Sequence, residues 1–137
     1  MATNVKKFVC VSFEKEGTHF YKEAGTDPEL AEVSYLQYPH RHMFKFVVKI
    51  SVTDNNRELE FIKVKHRCLK YFADDFIDID YKSCEMLCED LYHELAYDYG
   101  KDRTYIISCY EDGENGAELI FEPAESVSYT HLTLPTI

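Results

Sequence analysis

"YPHRHMFKFVVKISV", residues 38–52, is the stretch that decides the fold. His40, His42, Phe44, Phe46, Val48 and Ile50 fall on one side of an alternating pattern. Met43, Lys45, Val47, Lys49 and Ser51 fall on the other. Side chains alternate across a strand with period two, so the run reads as a strand with one apolar face. His40 and His42 head that face, with both rings on the same side. Such a pair suits one metal ion, but it also suits a solvated strand end.

Working outward, "TDNN" ends the strand. "RELEFIKVKHRCLKYF" then carries Phe61, Val64, Cys68, Leu69 and Phe72 at helical spacing, the mark of an amphipathic helix. "ADDFIDIDYK" reads as an acidic connection. Ser83 followed by Glu85 opens a second helix, "SCEMLCEDLYHELAYDY", with Leu87, Leu91 and Leu95 on its buried stripe and Gly100 closing it. "RTYIISCYE" and "AELIFE" are strands joined by "DGENG", a hairpin signal.

On the N-terminal side, "VKKFVCVSF" is a short strand in which Phe8, Cys10 and Ser12 alternate with Val9, Val11 and Phe13. The stretch after it, "EKEGTHFYKEAGTDPELAEVSYLQYP", keeps no period and reads as a long loop, a feature often tied to function. The order β-β-α-α-β-β implies an α+β fold: a four-stranded antiparallel sheet with two helices on one face.

The chain of 137 residues is 45% apolar, enough for one domain and one core. Its net charge is −10, and no Lys/Arg stripe tracks a phosphate backbone, which excludes a nucleic-acid polymer as partner. The sequence has no long apolar run and no signal-peptide pattern, so the expectation is a cytoplasmic protein with no membrane contact. Five cysteines (Cys10, Cys68, Cys84, Cys88, Cys109) lack zinc-ribbon spacing and read as reduced, mostly buried thiols.

The last stretch, "VSYTHLTLPT", differs in character from the rest and resembles a translated sequencing-library adapter at the end of a metagenomic contig. Residues 1–126 are therefore read as a single domain and 127–137 as a non-native tail, which removes His131 from consideration.

The element order and the residues at its joints resemble the 6-pyruvoyltetrahydropterin synthase family, which includes the 6-carboxytetrahydropterin synthases of the queuosine pathway. The resemblance covers about residues 8–122. His40 and His42 match the family's His-x-His opening the second strand, and "GTH" behind Phe13 places His19 in the third ligand position. The resemblance implies that these three imidazoles bind one zinc ion with an open fourth position.

"EFIKVK", with Glu60, Phe61, Val64 and Lys65, matches the start of the family's first helix. "KSCEML", with Ser83, Glu85 and Leu87, matches the start of the second, although Lys82 replaces a proline. "CYEDGENGA" puts Glu111 where the family anchors its heterocycle, with Ala117 at the matching distance. The implied ligand-binding residues are thus Glu111 and Ser83. A carboxylate such as Glu111 accepts two hydrogen bonds from the amidine-like edge of a pterin or purine.

The departures bear on chemistry. Active members carry a base cysteine four residues before the His-x-His, and here that position is Leu36, flanked by Tyr35, Gln37 and Tyr38. The family's second proton-transfer group is a histidine after an aspartate, and here Asp75 is followed by Phe76. Tyr35, Tyr38 and Asp74 are conceivable substitutes, so no catalytic residue is assigned. Cys109 is a core thiol or a pocket thiol, and Lys63, Lys65, His66 and Arg67 are a cationic rim or solvated helix charges.

The resemblance implies a tunnelling-type fold that joins subunits into a barrel, as a trimer or a hexamer, since small sheets leave open edges. Two functions follow. One is a zinc-dependent lyase acting on a dihydropterin triphosphate. The other is a non-catalytic protein that sequesters a purine-like or nucleotide ligand, such as a phage sponge for a signalling nucleotide.

Overall fold

The computed structural model describes residues 4–123. The tail expected at 127–137, with His131, lies outside the described residues. Among the described residues there are five strands: β1 (Lys7–His19), β2 (His40–Val52), β3 (Phe76–Asp80), β4 (Tyr105–Glu111) and β5 (Asn115–Phe121). Two α-helices, α1 (Phe61–Tyr71) and α2 (Cys84–Tyr99), join them, with short 3-10 segments at Lys22–Gly25 and Pro28–Gln37. No helix among the described residues is long and apolar enough to cross a membrane.

The architecture is α+β, and the sheet order is β3-β1-β2-β4-β5. The expected four-stranded antiparallel sheet is corrected to a five-stranded mixed one, because β3 pairs parallel with β1. β3 lies in the stretch read as an acidic connection. Its alternation is real: Ile77 and Ile79 are buried while Asp78 and Asp80 point outward.

The expected long loop is also corrected. β1 runs on through Glu14 to His19, pairing with β2 along its whole length from Lys7–Val52 to His19–His40. The inward positions of this extension are Lys15, Gly17 and His19, which carry no apolar signal. Gly17 is required by close approach: a Cβ there would lie 2.8 Å from Ile77 Cγ1 and 2.9 Å from the Ile77 carbonyl oxygen. β3 can dock against β1 only because that side chain is missing.

Inward residues of all the central strands meet the helices in one core. Phe44, Phe46, Val48 and Ile50 of β2 are fully buried, as are Tyr105, Ile107 and Cys109 of β4. Val64 and Cys68 of α1 and Leu87, Leu91 and Leu95 of α2 cover them. Phe13 stacks on Phe46 at 4.9 Å between ring centroids. Each fully buried large apolar side chain contributes about 1.5–3 kcal/mol of transfer free energy. Phe61, counted on the apolar stripe of α1, is instead 55% exposed, since Val64, Cys68 and Phe72 complete the stripe without it.

The caps follow the sequence. Ser83 accepts from the Met86 amide at the start of α2, and Glu60 accepts from the Ile62 amide at the start of α1. Gly100 ends α2 with φ +99°, a conformation that glycine adopts without strain. The β4–β5 turn places both Asp112 (φ +57°) and Gly113 (φ +73°) in the left-handed region, as an Asp-Gly hairpin turn requires.

Candidate metal centre and adjoining cleft

Strand pairing brings the three histidines together. His19 ends β1 directly opposite His40 at the start of β2, and His42 follows two residues on, on the same face. The His19–His40 ring centroids are 4.6 Å apart, the His40–His42 centroids 5.0 Å and the His19–His42 centroids 5.4 Å. One ligating nitrogen from each lies within 4.8 Å of the others, so the cluster is able to hold a metal ion.

Each Nδ1 is held by an acceptor. His19 Nδ1 lies 3.0 Å from the Lys82 carbonyl, His40 Nδ1 2.9 Å from the Tyr38 carbonyl, and His42 Nδ1 2.6 Å from Asp112 Oδ2. Backbone carbonyls and ionised carboxylates only accept, so each Nδ1 carries the hydrogen. The neutral rings then present bare Nε2 lone pairs. Metal-binding histidines are oriented by outer partners of this kind. His42 Nε2 is moreover a buried nitrogen with no hydrogen-bond partner among the described residues, which is what a ligand awaiting an ion looks like. The residues therefore fit a divalent ion that accepts imidazole donors.

The outer partners come from distant segments. Asp80 at φ +53° turns the chain out of β3, so that the Lys82 carbonyl reaches His19. Asp112 is fixed by two further bonds to β2: its Oδ1 accepts from the Met43 amide at 3.0 Å, and its own amide donates to the Met43 carbonyl at 2.8 Å. The Met43 amide, followed by His42, holds the Asp112 carboxyl below the usual range. Sequence reasoning missed Asp112, whose one signal was its place in the Asp-Gly turn beside Glu111. The Lys82 carbonyl had no signal at all, because any residue supplies a backbone oxygen.

Glu111 sits at the end of β4 with its carboxylate among the imidazoles. Oε2 is 3.1 Å from His19 Nε2, and Oε1 is 3.4 Å from His42 Nε2. When His19 Nε2 also carries a proton it donates to Glu111, and that contact holds the Glu111 carboxyl low against the opposing effect of burial. Burial works against charge on His19, but Glu111 and the Lys82 carbonyl outweigh it and the net shift is upward.

A cleft of about 840 Å³ opens beside the cluster, within the range for small-molecule sites. His19, His40, Leu36, Ser83, Cys84 and Glu111 contribute to its walls. Both expected ligand-binding residues, Glu111 and Ser83, thus face one cavity with two of the histidines. The Ser83 hydroxyl is engaged as the helix cap.

Other candidates lie elsewhere. None of Lys63, Lys65, His66 and Arg67 lines the cleft, and Arg67 is tied to Glu94 and Asp98 of α2. Asp74 lines a separate cleft of about 380 Å³ between α1, β3 and α2. Tyr35 and Tyr38 are largely exposed, and Cys109 is a fully buried core thiol.

Cys84, read only as a buried thiol, is the group the sequence undervalued. It is the first residue of α2, lines the cleft, and places Sγ 3.9 Å from Glu111 Oε2. Its hydrogen bond with Cys109 draws the thiol below its ordinary value despite burial, and Cys109 is pushed up.

No family model and no curated protein matches the chain.

Proposed function

We propose that this chain is a divergent relative of the 6-pyruvoyltetrahydropterin synthase family that holds zinc at His19, His40 and His42. It takes a pterin-, purine- or nucleotide-like ring in the adjoining cleft. The observation that carries this reading is the set of three imidazoles whose Nδ1 atoms all face acceptors, leaving three Nε2 atoms free for one ion. Zinc with three histidine ligands supplies a Lewis acid toward oxygen atoms of a bound ligand.

The chain's own residues divide the remaining work. Leu36, the 3-10 segment at Lys22–Gly25 and the start of α2 all contribute to the cleft walls. Among the described residues, Glu111 offers the carboxylate that meets both the histidines and the cleft. The four antiparallel-linked strands β1, β2, β4 and β5 with two helices on one face support the tunnelling-type reading, to which β3 is an addition at the edge. The open β3 and β5 edges support assembly into a trimer or hexamer, measured by light scattering on the purified chain.

Sequestration of a ligand without chemistry is the second reading. It is favoured by Leu36, an apolar side chain in the cleft wall where the resemblance calls for a thiol base. A zinc-dependent lyase acting on a dihydropterin triphosphate is favoured instead by Cys84, a thiol that also lines the cleft.

One experiment separates them. Purified protein is incubated with dihydropterin triphosphates, guanine nucleotides and cyclic nucleotides, then denatured, and the released small molecules are weighed by mass spectrometry. A new product mass establishes an enzyme, and enrichment at the original mass establishes sequestration. Retention of nothing, with no metal by elemental analysis, sinks the proposal.

A further inference from the structure

We infer, building on the three-histidine centre proposed above, that Glu111 is a fourth protein donor to the metal. Its carboxylate closes the coordination position that three imidazoles alone leave open. The argument starts from hydrogen-bonding capacity. Lys82 and Tyr38 present carbonyl oxygens, and Asp112 presents a carboxylate, so all three imidazoles spend their N–H outward. Inward they offer lone pairs. Glu111 adds two more acceptor oxygens, 3.1 Å from His19 Nε2 and 3.4 Å from His42 Nε2.

Acceptors facing acceptors repel unless a cation lies between them. A single proton shared by His19 and Glu111 relieves only one of these contacts. It leaves His42 Nε2 buried, unpartnered and facing Glu111 Oε1. One divalent ion relieves all of them. The two separations also fit: a tetrahedral ion with ligands at about 2.0–2.1 Å has donors about 3.4 Å apart.

The position of Glu111 is not a chance of side-chain mobility. Its backbone is paired with Phe44 of β2 and with Asn115 of β5, so the Cα belongs to the ladder that carries His42. Glu111 also lines the cleft, together with His19 and His40, so its carboxylate borders both the imidazoles and the cavity. An oxygen or anion that reaches the ion from the cleft would then compete with this carboxylate for its place. The centre is therefore closed at rest and opened by its ligand.

The test uses the full chain loaded with Co2+, whose visible absorption reports coordination, and azide as the exogenous anion. For wild type we expect one cobalt per chain, a four-coordinate spectrum and no response to azide. Glu111→Ala is expected to bind cobalt about 10- to 100-fold more weakly. It should respond to azide at concentrations that leave the wild-type spectrum unchanged. Glu111→Gln, which keeps the side-chain volume, should share that response and guards against a folding defect, checked by circular dichroism of the metal-free proteins.

If wild type and both variants bind cobalt with the same spectra and the same azide response, the carboxylate assignment is overturned while the three-histidine centre stands. If wild type binds no cobalt, the centre itself is overturned, and the assignment with it.

Discussion

Asp112 Oδ2 lies 2.6 Å from Nδ1 of His42, although the two residues are 70 apart in the chain. The β4–β5 turn is thus an orienting part of the histidine cluster. Asp112→Asn keeps an oxygen for the Met43 amide but can turn an N–H donor toward His42. Zinc affinity should fall about 10- to 100-fold, as for other outer partners of metal-bound histidines. Competition against a chromophoric chelator measures it. An unchanged affinity would mean that Asp112 does not orient the ring.

Loading with zinc should stabilise the protein, and a chelator should reverse the effect. Binding to the folded state alone adds about 2.7 kcal/mol when free zinc is 100-fold above its dissociation constant. His40→Ala should lose the zinc-dependent rise in Tm while melting normally without metal. A full zinc response in that variant would place the ion elsewhere.

Gly17→Ala should destabilise by about 1–3 kcal/mol, the usual range for forcing atoms into a packed site. The added Cβ meets Ile77 Cγ1 at 2.8 Å and the Ile77 carbonyl at 2.9 Å, and the backbone contact has little room to give. Urea unfolding gives the value. A loss within error of zero would show that β3 moves aside freely.

Glu58 ties together the start of the β2–α1 connection. Its carboxylate accepts from the amides of Asp54 at 2.9 Å and Thr53 at 2.8 Å and pairs with Arg103 at 2.6 Å. The Asp54 amide, then the Thr53 amide and Arg103, hold its pKa at about 2 instead of 4.5. The folded state therefore prefers the ionised form, and this stabilisation is complete above pH 4.5 and lost as the pH falls toward 2. Glu58→Gln should melt lower than wild type at pH 7, with the gap closing across that window. A gap that stays constant down to pH 2 would contradict the assignment.

Tyr105 is fully buried, and its hydroxyl donates to the Gly100 carbonyl at 2.6 Å. Burial pushes its pKa up to about 12, so it stays a donor throughout the neutral range. Tyr105→Phe should cost about 1 kcal/mol by equilibrium unfolding, the net worth of one hydrogen bond. A neutral outcome would indicate that Gly100 finds another donor.

The parts of the fold written in apolar periodicity were legible. Phe44, Phe46, Val48 and Ile50 announced β2, Leu87, Leu91 and Leu95 announced α2, and the Asp-Gly pair announced the last hairpin. The second half of β1 was not, because Lys15 and Gly17 occupy its inward positions and contribute no hydrophobic signal. β3 was passed over for its aspartates, although Ile77 and Ile79 alternate with them. Its partner is a parallel strand that no turn signal announces.

The site divides in the same way. His40 and His42 are two apart and declare themselves by spacing, whereas His19 joined them only through the family resemblance. Its placement opposite His40 is a matter of strand register, which sequence spacing does not encode. The backbone carbonyls that fix the tautomers of His19 and His40 leave no trace in residue identity. Cys84 was assigned by composition to the buried thiols, and only the packing of the α2 terminus against β4 reveals that it borders a cavity.

The reach of the three Nδ1 anchors has a consequence for biosynthesis. His40 is held by a residue two positions away, but His19 waits for Lys82, 63 positions on, and His42 for Asp112. Contacts of such long sequence separation close late, after the loops between them have been ordered. A nascent chain that has exposed all three histidines still lacks two of the three groups that aim them. An ion held by these histidines would find all three rings aimed only once the last hairpin has formed, so its capture would report a finished fold.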